Sequence, residues 1–272
     1  MAVEYTDGDS WFRVYREAPE GVRLFCFPHA GGAASYFFPW SRSLPADIEV
    51  LAVQYPGRQD RRSEPCIRAV PELADRIHAA IRPRLAQPFA FFGHSMGAVL
   101  AFEVASRIAR DEGVAPAHLF VSGRRAPSRV RHEELHRAGT AALVAEVRAL
   151  GGTDPRVLAD KDLLDLVLPT IRADYTAIET YRFDSAPPLS CDVTAMVGDS
   201  DPKASIDDTA AWSQHTLGRF DLRIFPGDHF YLDECRAGVL DVIASALSGA
   251  RQEAGRGRPR GEARPRATST GG

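Results

Sequence analysis

The stretch FAFFGHSMGA, residues 89–98, decides the fold, because a short aromatic strand runs directly into the turn Gly93-His94-Ser95-Met96-Gly97 and then a helix. A strand-to-helix reversal this tight crowds the backbone around the serine, so the positions two before and two after it must be glycine. Such a turn pushes the Ser95 hydroxyl beyond the carboxyl edge of a sheet. We therefore predict that Ser95 is a nucleophile, although five common residues also fit an ordinary turn.

The composition is typical of a soluble globular protein, with 272 residues, 44% hydrophobic and 25% charged. The N-terminus lacks the basic and apolar regions of a secretion signal, and no apolar run reaches the length of a membrane span. We therefore expect a cytoplasmic monomer that does not enter a membrane. The four cysteines lack C-x-x-C spacing and are expected to be reduced thiols; they are Cys26, Cys66, Cys191 and Cys235.

Charge is distributed unevenly along the chain. Residues 251–272 contain six arginines and two glutamates and so have a net charge of about +4. Because the whole chain has a net charge of −3, residues 1–250 have a net charge of about −7. An acidic body argues against binding to nucleic acid. The tail is rich in Gly, Pro and Arg without apolar periodicity, which predicts disorder. Contact of the tail with an acidic partner is the alternative.

Strand-like and helical patterns alternate from residue 22 onward, which predicts a mostly parallel sheet with helices on both faces. Between 126 and 188 the pattern contains helical segments only, at 140–150 and 160–181, and we interpret it as an inserted helical lid. The chain is thus predicted to be one domain over 1–250, followed by the tail 251–272. Strands are predicted at 22–28, 48–57, 89–93, 117–123, 191–201 and 221–228, and further helices at 68–85, 96–110, 206–216 and 230–247.

A serine nucleophile needs a base within hydrogen-bond reach and a third group that fixes the tautomer of the base. His229 follows the predicted strand 221–228, and it is the one histidine at a late strand end preceded by Gly and Asp. Asp201 follows the strand at 191–198 and is the predicted acid, with Asp199 and Asp207 as alternatives. The chain order Ser, Asp, His is that of an α/β-hydrolase, which is the predicted fold.

Two backbone amides are needed to stabilise the oxyanion that forms when a serine attacks a carbonyl. The amide of Met96 directly follows the nucleophile and is the first candidate. The glycine-containing loop PHAGG, residues 28–32, is the source of the second, for which we predict Ala30, with His29 or Gly31 as alternatives. The His29 side chain is expected to be a structural hydrogen-bonding group.

Four motifs occur together: PHAGG at 28–32, YPGR at 55–58, GHSMGA at 93–98 and GDHFYL at 227–232. In order and spacing they resemble the type II thioesterases that accompany polyketide and nonribosomal peptide synthases, over about residues 10–248. The resemblance implies hydrolysis of stalled or wrongly primed acyl chains from the phosphopantetheine thiol of an acyl or peptidyl carrier protein, under a mobile lid. It also implies a triad of Ser95, Asp201 and His229, with Ala30 and Met96 as oxyanion donors.

Other classes of protein fit the sequence less well. No metal-binding, Walker or dinucleotide-binding motif is present, so we expect neither a metal nor a cofactor. A chain-releasing thioesterase or a broad carboxylesterase would share the triad and differ in the lid. A binding protein that kept a hydrolase fold without turnover is the remaining alternative.

Overall fold

Seven strands form one sheet in the order β1-β3-β2-β4-β5-β6-β7 in a computed structural model, which describes residues 9–250. The edge strand β1 runs antiparallel to β3, and all other neighbouring strands are parallel, as the alternating pattern predicted. The strands are β1 Phe12–Arg16, β2 Val22–Phe27, β3 Ile48–Val53, β4 Phe89–His94, β5 His118–Ser122, β6 Asp192–Gly198 and β7 Phe220–Phe225.

Helices cover both faces of this sheet. One face packs against α2 and α3, and the other packs against α1 and α9. Within residues 9–250 the α-helices are α1 Phe38–Ser43, α2 Val70–Ile81, α3 Met96–Asp111, α4 Thr140–Leu150, α5 Pro155–Ala159, α6 Lys161–Thr180, α7 Ile206–Ala210, α8 Tyr231–Glu234 and α9 Arg236–Ala246.

The central strand β4 is buried along its whole length because it is covered on both faces. Successive side chains of a strand point to opposite faces, so Phe91 enters one apolar core and Phe92 the other. Phe91 contacts Phe25 edge-to-face at 5.7 Å between ring centroids, and Phe92 packs in the same way on Trp40 at 4.6 Å. This double burial holds rigid the strand that presents Ser95.

The segment between β5 and β6 contains three helices and a small core of its own. Leu143 and Val147 of α4, Leu158 of α5, and Ile171 and Tyr175 of α6 pack together there. The second half of α6 packs instead on the main core. Helix α6 begins where the Asp160 carboxylate accepts hydrogen bonds from two free amides of the first turn, a common N-terminal cap. We call 126–188 the helical insertion.

The structure differs from the sequence-based expectation in several places, one of which is the unpredicted short helix α5. Strand β1 and helix α1 were not predicted, since each has only five or six residues and β1 is partly exposed. The helix expected over 206–216 ends at Ala210 and continues as a 3-10 turn, Ala211–His215. The helix expected over 230–247 is divided at Cys235, whose backbone leaves the helical region at φ −93° and ψ 19°.

Some expectations concern features outside the sheet. All four cysteines are free thiols. Among residues 9–250 no helix combines the length and apolar character that crossing a membrane requires. The predicted disorder of the tail 251–272 lies outside the described residues.

His118, at the start of β5, makes stability depend on pH. Burial lowers the pKa of its imidazole to about 4, so the folded protein keeps it neutral where the unfolded chain, with a pKa near 6.5, binds a proton. The contribution of His118 to the free energy of unfolding is therefore fully present above about pH 6.5. It is lost as the pH falls towards about 4, by roughly 3 kcal/mol. We expect His118→Gln to flatten this slope in urea unfolding, whereas exposed His132→Gln leaves it unchanged. Equal slopes in both variants would contradict the assignment.

Candidate active site

Ser95 lies between β4 and α3 in a backbone conformation that L-residues rarely adopt, with φ 56° and ψ −116°. Its amide donates a 2.8 Å hydrogen bond to the carbonyl of Ser122, at the end of β5. A Cβ on Gly93 would lie 2.1 Å from the Gly97 carbonyl oxygen, and one on Gly97 would lie 2.0 Å from the Phe27 carbonyl oxygen. Both glycines are therefore required sterically, as the sequence indicated.

His229 and Asp201 lie beside Ser95 because β4, β5, β6 and β7 are parallel neighbours whose carboxyl ends share one edge. The Nε2 atom of His229 lies 3.0 Å from Ser95 Oγ. Its Nδ1 atom lies 3.0 and 2.9 Å from the two carboxylate oxygens of Asp201. Since a carboxylate only accepts, Nδ1 carries the proton, and Nε2 is left to accept the hydrogen bond of the serine. Both the imidazole and the carboxylate are buried.

The other carboxylates near this edge have different partners. Asp199 is exposed and accepts hydrogen bonds from the amide of Gly227 and the hydroxyl of Ser200. Asp207 is exposed in the first turn of α7. The Asp228 carboxylate accepts a hydrogen bond from the amide of Phe230 and so stabilises the turn that contains His229. Of the candidate acids, the structure thus brings Asp201 to the imidazole.

The two candidate oxyanion amides belong to different segments of the chain. Met96 is the first residue of α3, where an amide has no acceptor within the helix. Ala30 lines the same cavity as Ser95 and His229. The amide of Gly31, an alternative to Ala30, already donates to Asp174 Oδ2 at 2.7 Å. The Gly31 amide therefore already has an acceptor, and Ala30 or His29 is left as the second candidate donor.

His94 packs against His229, His29 packs against His94, and both are neutral near pH 7. Burial, reinforced by the nearby imidazole of His229, lowers the pKa of His29 to about 4 and holds that of His94 well below its usual range. His94 Nδ1 lies 3.0 Å from Ser122 Oγ, and His29 Nε2 donates to the carbonyl of Gly152 at 3.3 Å. His29 is thus a structural hydrogen-bonding group, and it connects the PHAGG loop to the helical insertion.

The cavity above Ser95 is nearly filled. Its volume is about 30 Å³, enough for about two water molecules, which limits it to a group of a few atoms. The ring of Phe230 leaves no room for a Cβ at Gly152, since one would lie 1.9 Å from Cζ. The insertion therefore forms part of the cavity wall, while Ser95 itself stays partly exposed. Its residues lining the cavity are Val147, Leu150, Gly152, Thr153 and Tyr175.

A buried ion pair connects the insertion to the loops around Ser95. The Arg58 guanidinium binds both carboxylate oxygens of Asp174 on α6, at 2.7 and 2.8 Å, and donates to the Gly32 carbonyl. The same carboxylate accepts the amide of Gly31. Both side chains are almost inaccessible, at 7% and 1%. We call Arg58, Asp174, Gly31 and Gly32 the clamp.

Sequence reasoning missed Asp174 and the cavity residues of the insertion. One signal was present for Asp174, because it follows Ile171 by three residues and precedes Ile178 by four, on the apolar stripe of the predicted helix. A carboxylate on a buried stripe needs a cationic partner, and YPGR supplies Arg58. Within residues 9–250 no group of three or more His, Cys, Asp or Glu side chains is arranged to hold a metal ion.

Comparison with known proteins gives concordant results. The family model described as thioesterase domain matches residues 22–247. The thioesterase PikA5 of Streptomyces venezuelae is 50% identical over 230 residues, which cover 84% of this chain and 82% of that protein.

Solved structures give the same result. The type II thioesterase BorB from the borrelidin biosynthetic cluster is 46% identical with a TM-score of 0.83, over 89% of this chain and 100% of that one. The thioesterase RedJ from the prodiginine pathway of Streptomyces coelicolor is 36% identical with a TM-score of 0.80, over 91% of each chain. The α/β-hydrolase fold and the resemblance predicted from the motifs are confirmed.

We expect the clamp to stabilise the folded protein strongly. Asp174→Asn leaves the buried Arg58 charge uncompensated, so the free energy of unfolding should fall by about 3 kcal/mol. The matched control is Asp165→Asn on the same helix, where the ion pair with Lys161 is exposed and should contribute little. Urea unfolding measures both. Equal effects of the two substitutions would show that the buried pair has no special role.

Proposed function

The chain belongs to the thioesterase family of hydrolases, and on this premise we propose that Ser95, His229 and Asp201 hydrolyse acyl thioesters through an acyl-enzyme. The observation that carries the proposal is the 3.0 Å contact between His229 Nε2 and Ser95 Oγ, with the other imidazole nitrogen held by Asp201. A thiolate leaves readily, so catalysis depends mainly on nucleophile activation and oxyanion stabilisation. These are the two features for which the site has candidate groups.

In the proposed mechanism, Ser95 Oγ attacks the thioester carbonyl while His229 Nε2 accepts its proton. The amides of Met96 and Ala30 stabilise the resulting oxyanion. The carbon–sulfur bond then breaks, and the imidazolium returns the proton to the leaving thiolate. A water molecule, deprotonated by the same Nε2, hydrolyses the acyl ester, and the proton returns to Ser95 as the carboxylic acid leaves. Asp201 stabilises the imidazolium in both halves of the reaction.

For the natural substrate we propose an acyl group on the phosphopantetheine thiol of an acyl or peptidyl carrier protein, removed when the chain is stalled or wrongly primed. Names of relatives support this, since BorB is a type II thioesterase from a biosynthetic cluster. The cavity bears on the acyl group alone, because a space of about 30 Å³ beside Ser95 suits a short one. Longer chains require the helical insertion to move. We further propose that 126–188 acts as a lid on a single domain.

We expect the triad to account for turnover. The substrates are an acetyl group on a carrier protein, on N-acetylcysteamine and on an oxygen ester. Ser95→Ala and His229→Ala should each lower kcat by roughly 10⁴-fold or more, and Asp201→Asn by about 10⁴-fold without unfolding the protein. Exposed Asp207→Asn is the matched control and should retain activity.

The preference among substrates separates the alternatives. Fastest hydrolysis of the carrier-bound thioester supports the proposed substrate class. Fastest hydrolysis of the oxygen ester indicates a carboxylesterase instead. If wild type and Ser95→Ala are equally inert, the chain has kept the fold without turnover.

We expect Leu150 to limit the length of the acyl group. Leu150→Ala enlarges the cavity from the side of the insertion, so kcat/KM for butyryl relative to acetyl thioester should rise by roughly tenfold. The matched control is Leu163→Ala, since Leu163 is 43% exposed on α6 and does not line the cavity. Steady-state kinetics with both thioesters measure the ratio. A ratio unchanged in Leu150→Ala contradicts the role of this side chain.

A further inference from the structure

A second candidate site begins two residues after β5. Gly123 has a φ of +58°, and a Cβ there would lie 3.4 Å from Cε1 of His229. The next residue, Arg124, is anchored through its backbone, because its carbonyl accepts the indole N–H of Trp212 at 2.8 Å. The backbone of Arg124 is thus held in place directly after Gly123, the residue that packs beside His229.

The guanidinium of Arg124 makes no hydrogen bond and no ion pair with any residue in the 9–250 range, and its Nε is buried without an acceptor. Neighbouring carboxylates have other partners. Glu133 binds Arg125 and Lys203, and Glu179 accepts from His136 and from two backbone amides. The Arg124 side chain is half-buried, but its Nε is inaccessible to water, and a buried polar atom without a partner is unfavourable unless a ligand compensates it.

Further arginines surround the same point. A cavity of about 30 Å³ lies between the end of β5 and the end of α6, and its lining contains five arginines and one glutamate. The arginines are Arg124, Arg125, Arg129, Arg131 and Arg182. Burial and the neighbouring Arg125 lower the pKa of Arg124 to about 9, which still leaves it charged at neutral pH. The pairing of Arg125 with Glu133 offsets part of this charge, and the lining keeps an excess of positive charge around a volume suited to a small anion.

We propose that this cavity is a phosphate-binding site with Arg124 as its central ligand. Arginine side chains that line one small space suit a tetrahedral oxyanion, because a guanidinium can donate two parallel hydrogen bonds to its oxygens. Glu179 has the single carboxylate in the lining, and this carboxylate accepts hydrogen bonds from His136, near the start of the insertion. A bound phosphate would connect the end of β5 to Arg182, which follows α6, and so hold the insertion to the sheet.

Thermal unfolding of the full chain with inorganic phosphate tests the site independently of any thioester chemistry. At constant ionic strength, phosphate should raise the Tm of the wild type by a few degrees, because a ligand that binds only the folded state stabilises it. Arg124→Met should abolish this shift and should itself be no less stable, since it removes a buried Nε that has no acceptor. Arg219→Met is the matched control, because Arg219 is exposed, and should keep the shift.

Three outcomes overturn the proposal: no shift in the wild type, the same shift in Arg124→Met, or an equal shift with acetate. The source of the phosphate is distinguished with acetyl-phosphopantetheine and acetyl-pantetheine as substrates. If the site binds the phosphate of the substrate arm, the wild type prefers the phosphorylated substrate by about tenfold in kcat/KM, and Arg124→Met does not. If it binds free phosphate, the two substrates are hydrolysed equally, and inorganic phosphate still raises the Tm.

Discussion

The unfavourable backbone of Ser95 is the constraint on which the rest of the site depends. A residue in this conformation costs about 1–3 kcal/mol and persists only where its surroundings hold it. Here the hydrogen bond to Ser122 holds it from β5, and the contact of Gly97 with the Phe27 carbonyl holds it from β2. The two buried faces of β4 supply the rigidity. The packing of the strands thereby fixes the orientation of the Ser95 hydroxyl group.

Much of this arrangement could be predicted from the sequence because it follows from local rules. Glycines two residues either side of Ser95 indicate the turn, and parallel strands bring Asp201 and His229 to the same edge. The catalytic roles of these residues stay predictions. Contacts between distant segments could not be predicted in this way, because no local pattern pairs Arg58 with Asp174, 116 residues apart. Short or partly exposed elements such as β1 and α1 were also missed, because an apolar pattern over five or six residues is too short to identify a strand or a helix.

Two neutral imidazoles lie near the histidine that contacts the serine. His94 lies 5.0 Å from His229 between ring centroids and donates or accepts within a chain that runs through Ser122 to the hydroxyl of Tyr231. Because burial keeps His94 and His29 uncharged, they add volume and fixed geometry without repelling an imidazolium at His229. Of the three rings, His229 is thus the one that contacts both Ser95 and Asp201.

The clamp also limits which segments of the protein can be exchanged with those of a related one. Asp174 belongs to the helical insertion, whereas Arg58 and the PHAGG loop belong to the sheet domain, and the two charges neutralise each other away from water. Transplanting the insertion alone into a related scaffold would transfer one buried charge without the other. Chimeric enzymes made to change acyl preference must therefore exchange residues 58 and 174 together. In this fold the modular unit is larger than the inserted segment.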